Sequence, residues 1–221
     1  MENARVIQFP SKRVLKPLLK PRRIDSEPSL GQMVGKGLTD ATMRELALKF
    51  KNPQSERDLR DRLIFLLASS TGLRAKELVN LRFSNITHSP EGDILVRYRK
   101  KGGKLGYTII HENILDEIKI YQNFIGEKSD YFLLSLPKKK NGKRSPLSTR
   151  GLQWVVNSWD VQTASGKLIH PHALRHTVAQ KTFDHFGSIA TQKLLGHSSA
   201  NTTSNYYTRP YFNAGSVLNW S

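Results

Sequence analysis

The chain has 221 residues, 38% of them hydrophobic, a formal charge of +17 and no cysteine. The missing thiols exclude a disulfide framework, a Cys-ligated zinc site and a thiol nucleophile, and they fit a cytosolic protein. No run approaches the ~18 apolar residues of a membrane span, and no secretory h-region is expected at the N-terminus. So positive a field favours a polyanion, nucleic acid well before an anionic membrane surface.

In chain order, residues 1–37 carry prolines and scattered basic residues without a sustained period. They read as a basic, flexible arm suited to lying along phosphates, or as a linker with no dedicated role. From Leu38 the pattern becomes regular. LTDATMRELALKF sets Met43, Leu46, Ala47 and Phe50 at helical spacing behind Thr39 as N-cap. SERDLRDRLIFLLASS repeats this with Leu59, Leu63, Leu66 and Leu67, predicting a helix with one apolar face. TGLRAKELVNLRFSNI gives a turn at Gly72, then a short helix with Leu78 and Leu81 pointing inward.

The period then changes. In GDILVRYRKKGGKLGYTII, Ile94, Val96 and Tyr98 alternate on one strand and Tyr107 and Ile109 on the next, a β-hairpin around a solvated KKGGK turn. ENILDEIKIYQNFIG returns to helical spacing, DYFLLSL is an apolar run too short to assign, and PKKKNGKRSP is a basic loop. LSTRGLQWVVNSW predicts a helix capped by Ser148, and from His172 onward the chain reads as short helices. The expected architecture is one mixed α+β domain over 38–208, mostly helical with a small antiparallel sheet, followed by a tail over 209–221.

Four places concentrate residues that could carry chemistry. Arg74 opens a helix straight after the Gly72 turn, where its guanidinium fork could grip two phosphate oxygens; paired with Glu77 at i,i+3 it is otherwise an exposed helix pair. Lys100, Lys101 and Lys104 surround Gly102 and Gly103, either reaching into a groove or simply solvated. In IHPHALRHT, Pro171 enters the first helical turn, so His172 and Arg175 share a face. His172 and His176 at i,i+4 also raise a zinc pair, but no metalloprotease glutamate, cysteine or acidic cluster completes one. In LLGHSSANTTSNYYTRP, Gly196 ends a helix, His197 follows, and Asn201 or a threonine caps a last helix bearing Tyr206 and Tyr207. A tyrosine with pKa near ~10 attacks at neutral pH only when dense positive donors surround its target.

Together these residues form a chemically complete set for metal-free phosphodiester transesterification. Arg74 in TGLRAKEL, Lys101 in the hairpin turn, His172 and Arg175 in HALRH, His197 in LLGHSS and Tyr206 nine positions later resemble, in order and spacing, the tyrosine recombinase (phage-type integrase) family. The resemblance runs from about Leu38 to Tyr207. It implies that family's catalytic-domain fold and a site-specific DNA recombinase needing neither metal nor ATP. Tyr206 would attack the scissile phosphate to form a 3′-phosphotyrosyl link. Arg74 and Arg175 would clamp its oxygens and His197 would hydrogen-bond to it, while His172 would take the tyrosine proton and Lys101 would give one to the leaving 5′-oxygen. Glu77 would orient its neighbours. Tyr207 is the alternate nucleophile, because many members place threonine after the reacting tyrosine, and here Thr208 follows Tyr207.

The resemblance further implies double-stranded DNA as partner and a homotetramer on paired sites, with a monomer or weak oligomer when free. The basic residues expected along the DNA are Lys100 and Lys104 in the hairpin, Lys138, Lys139, Lys140, Lys143 and Arg144 in the loop, and Arg150 beyond it. Phe212, Val217, Leu218 and Trp220 give the tail an apolar side for docking on a neighbouring protomer or folding back. The expected setting is cytoplasmic and nucleoid-associated, in a bacterium, archaeon, phage or plasmid. Most family members carry an N-terminal core-binding domain that 37 residues cannot form. The length instead resembles the short fimbrial phase-variation recombinases, which are essentially catalytic domains, so the expectation is either a minimal recombinase or one that needs an accessory DNA-binding protein as partner. The rival readings are a non-catalytic regulator derived from a recombinase and a basic RNA-binding protein.

Overall fold

The computed structural model describes residues 35–100, 102–138, 141–197 and 200–207, and only the backbone at 200, 202, 205 and 206. Both ends of α1 (Asp40–Lys49) follow from the sequence: the Thr39 hydroxyl accepts the Thr42 N–H, and Leu46 and Phe50 turn inward while Ala47 stays exposed. Helix α2 (Glu56–Thr71) starts on Ser55, which accepts the Asp58 N–H, and stops at Gly72 in the left-handed region, φ 60°. The expected single apolar face is too narrow a description. Ile64, Phe65 and Ala68 are buried as well as Leu59, Leu63 and Leu67, because α2 lies between two later helices.

A one-turn helix α3 (Ala75–Leu78) follows, then a three-stranded antiparallel sheet of β1 (Ile86–His88), β2 (Ile94–Arg99) and β3 (Leu105–Ile109) in that spatial order. The hairpin is as expected, and β1 is an addition that three residues could not announce. Val96 and Tyr98 face inward as the alternation predicts. On β3 the register reverses the expectation: Val96 pairs with Thr108 and Tyr98 with Gly106, so Leu105, Tyr107 and Ile109 face solvent. Helix α4 (Glu112–Ile125) lays Ile114, Ile118 and Tyr121 on α2. DYFLLSL becomes an extended segment through the core, where Phe132 N–H donates to the Leu81 carbonyl and Leu134 bridges to Pro146.

Helix α5 (Thr149–Asn157) is capped by Ser148, as predicted. Element α6 (Pro171–Leu195) is two helices meeting at Gly187, whose φ 76° and ψ −172° are not helical, and it ends at Gly196 in the left-handed region; the expected succession of helices is there, with the first longer than expected. Helix α7 (Ala200–Tyr207) begins before Asn201, so Asn201 and the two threonines lie inside it rather than at its cap. The main core gathers α1 to α6, while a smaller cluster of Ala179, Leu195, Tyr207 and Phe183 fastens α7 to α6. Among the described residues no helix is long and apolar enough to cross a membrane. The expected arm, except for its last residues, and the tail with Phe212, Val217, Leu218 and Trp220 lie outside the described residues.

Because Ile118 is fully buried at the α4–α2 contact, Ile118→Ala should lower unfolding free energy by about 2–5 kcal/mol. A urea titration would show this as a lower midpoint with an unchanged slope.

Candidate active site

Three segments far apart in sequence meet at one buried guanidinium. Arg175, 4% exposed in the second turn of α6, donates from Nη1 to the Gly72 carbonyl at 2.6 Å and from Nη2 to the Leu195 carbonyl at 2.9 Å. Both acceptors sit at helix C-termini, where carbonyls lack intrahelical partners and carry partial negative charge. Glu77, also 4% exposed, completes the setting with Oε2 at 4.0 Å from Arg175 Nη1. Its other contacts tie down Arg74: Oε2 accepts the Arg74 backbone N–H at 2.8 Å and Oε1 accepts Arg74 Nη1 at 3.1 Å. The Arg74–Glu77 pair is therefore a half-buried bridge between two arginines rather than an exposed helix pair. Burial, and then Arg74, pull the Arg175 pKa down to about 10, which still leaves it charged at neutral pH.

The histidines lie within this positive field. His197 follows the Gly196 cap and shares a hydrogen bond between Nδ1 and the Thr203 hydroxyl of α7, 3.0 Å. Burial, with Arg175 and Arg74 behind it, lowers its pKa to about 4. His172 is lowered by burial, then by Arg175, His170 and Arg74. Both are neutral imidazoles at pH 7. Arg74, His172, Arg175 and His197 are thus brought within electrostatic reach of one another. Thr203 was noticed only as a capping candidate, since nothing in a Thr-Thr step reveals that one hydroxyl will turn back to an imidazole.

The phage integrase family model matches residues 37–214. This chain belongs to the phage integrase family. It is 31% identical over 169 residues to the tyrosine recombinase XerC of Staphylococcus carnosus, covering 73% of this chain and 54% of that protein. To XerC of Chromobacterium violaceum it is 35% identical over 157 residues, 69% of this chain and 49% of that protein. The chain spans about half the length of the curated relatives it matches. Among solved structures, the XerA recombinase superposes with a TM-score of 0.58 at 24% identity, over 82% of this chain and 62% of that one. The XerH site-specific recombinase bound to difH substrate gives 0.57 at 20% identity, over 82% and 54%. These likenesses place the integrase-family chain in the tyrosine recombinase catalytic-domain fold.

Of this integrase's two adjacent tyrosines, Tyr207 is 2% exposed, packed on Phe183, with its hydroxyl 3.2 Å from His176 Nδ1. The Tyr206 backbone lies in α7, and its side chain is outside the described set. Burial holds His176 down to about 4. The His172 and His176 rings are 5.3 Å apart, and among the described residues no three His, Asp or Glu side chains gather as metal ligands.

The basic residues divide. Lys104, Lys138 and Lys143 are exposed, and Arg150 is exposed with its guanidinium 5.1 Å from the ring centre of Trp154, itself 64% exposed. Arg144 departs from the expected DNA-facing loop. It grips Glu56 at 2.5 Å and reaches Glu127 at 3.4 Å, tying the loop to the start of α2. Lys101, Lys139 and Lys140 lie outside the described residues.

Two predictions follow from this electrostatic arrangement. Glu77→Ala leaves two arginines facing each other around a buried site and should cost about 3–5 kcal/mol, read from the urea midpoint. Separately, the unfolded chain takes up protons near pH 6.5 that folded His176 and His197 refuse until about pH 4. Unfolding free energy should therefore rise with pH between those values and level off above them, and His176→Gln should flatten the rise.

Proposed function

We propose that the protein is a site-specific DNA strand transferase that cuts and rejoins DNA through a 3′-phosphotyrosyl intermediate. The observation that carries this reading is the meeting of Arg74, Arg175 and two neutral histidines at one site, in an integrase-family fold. Arg74 and Arg175 clamp the non-bridging oxygens of the scissile phosphate and offset the charge that grows in the transition state. His197, its Nδ1 sharing a hydrogen bond with the Thr203 hydroxyl, gives a hydrogen bond from Nε2 to the same phosphate. Neutral His172 accepts the Tyr206 proton as the phenolic oxygen bonds to phosphorus. The bond to the 5′-oxygen breaks, and a lysine of the β2–β3 turn supplies the proton that oxygen needs. Attack by another strand's 5′-hydroxyl reverses the step, so the phosphotyrosine conserves the bond energy and neither ATP nor metal is required.

Tyr206 is the nucleophile in this scheme, by its distance of nine positions from His197. The burial of Tyr207 supports the division, since its ring anchors α7 and its hydroxyl is engaged by His176. The substrate is double-stranded DNA, gripped chiefly through phosphates, so binding weakens steeply with salt. A tetramer on two paired sites is the working form. Integration, excision and inversion are all outcomes that this chemistry allows.

A nicked suicide duplex, which traps the protein after cleavage, tests the scheme. Wild type should form a covalent adduct that persists in EDTA, Tyr206→Phe should form none, and Tyr207→Phe should retain it at reduced yield. An adduct from Tyr206→Phe but not from Tyr207→Phe would reassign the nucleophile. Tight duplex binding without any adduct would instead support the non-catalytic regulator.

A further inference from the structure

Leu105, Tyr107 and Ile109 point into solvent from β3 at 53%, 56% and 47% exposure, and nothing in the candidate site accounts for them. The inward face of the hairpin is filled, by Val96, Tyr98 and the Lys100 stem lying between Gly106 and Gly196. We propose that the outward face of β2 and β3 is a platform for single-stranded DNA, on which Tyr107 stacks a base while Arg97 and Arg99 hold phosphates. This platform goes beyond the strand-transfer reading and does not require it.

Cross-strand pairing builds the face. Arg97 stands opposite Tyr107, Arg99 opposite Leu105 and Leu95 opposite Ile109. Directly opposed side chains lie about 4.5–5.5 Å apart at Cβ, so each guanidinium stem borders an apolar or aromatic neighbour. Both arginines are exposed, and neither guanidinium has a hydrogen bond or ion pair among the described residues. Strand β1 stops at Ile86 opposite Val96, so residues 97–99 are paired on one side only. Two hollows open beside that unpaired edge. One of about 180 Å³ is lined by Asn85, Thr87, Arg97 and Tyr107 among others, and one of about 260 Å³ by Asn85, Arg97, Arg99 and Leu105. No carboxylate lines either hollow.

This chemistry selects the occupant. Two unpaired guanidiniums with no acid beside them favour a polyanion, and their planar forks suit phosphate oxygens. They stand one two-residue step apart on a single strand, roughly 7 Å, an arrangement that follows one backbone rather than the two walls of a groove. An exposed tyrosine ring stacks on a base whose face is open, which a single strand offers and a paired, stacked duplex does not. Leu105 and Ile109 extend the apolar floor on either side of that ring. In the strand-transfer scheme, the strand freed at its 5′-end loses its pairing before it is rejoined, and the platform belongs to the hairpin whose turn meets the cut.

A fluorescent oligothymidylate of about ten nucleotides, followed by anisotropy, tests the platform. Tyr107→Thr keeps a strand-forming residue and should weaken binding by about 5–150-fold, with an unchanged urea midpoint. Arg97→Gln combined with Arg99→Gln should lower the slope of log affinity against log salt by about 1.4, the value for two single-strand phosphates. Because so positive a chain attracts any oligonucleotide, a 5-iodouracil crosslink locates the contact, and it should fall on the peptide carrying Tyr107. Unchanged affinity in Tyr107→Thr, or crosslinks confined to other peptides, would overturn the platform. So would an oligoglutamate of equal charge that displaces the oligonucleotide and is weakened equally by Tyr107→Thr, since the face would then fit an acidic protein segment. Adduct formation on the nicked duplex reports separately on strand transfer: wild type that makes no adduct yet binds the oligonucleotide through Tyr107 removes that reading and supports the platform.

Discussion

Everything in this molecule that looks like a site depends on one buried cation having enough negative partners. Arg175 sits in the interior, where a charge without compensation is costly. It is held by the Gly72 carbonyl at the end of α2, the Leu195 carbonyl at the end of α6 and the Glu77 carboxylate of α3. Two of those partners are free only because helices end there, and both helices end on glycines in the left-handed region. Stopping the helices, burying the arginine and bringing Arg74 beside it are therefore one structural event.

The same arrangement sets the character of the histidines. Burial and two nearby arginines make a further positive charge unfavourable, so His172 and His197 stay neutral, one able to accept a proton and the other to donate a hydrogen bond. Glu77 keeps the arginines from repelling each other without needing contact with a substrate. The cluster around Tyr207 is a separate apolar device, fixing α7 on α6 through packing and one hydrogen bond to His176.

The helices and their ends were largely legible in the sequence. Thr39 and Ser148 act as N-caps, and Gly72 and Gly196 stop helices, because capping is decided within a few residues. The sheet was legible only in half. Strand β2 shows its inward face by alternation, whereas β3 presents three apolar residues that turn out to face solvent, since register depends on a partner strand and a turn. Arg144 looked like one more basic loop residue, and only the arrival of Glu56 from 88 positions away makes it an internal anchor.

The sequence by itself determined the type of the longer elements, the chemical inventory and the spacing of the HALRH and LGHSS motifs, because these are properties of short windows. Only the tertiary structure decided which groups share a point: Thr203 on His197, Tyr207 on His176, Glu77 between two arginines, and Lys100 lying between two glycines. The physical reason is that hydrogen bonding, desolvation and Coulomb forces act across a few ångströms of space. Chain position fixes that separation only along a single helix or strand, and this site is assembled from several.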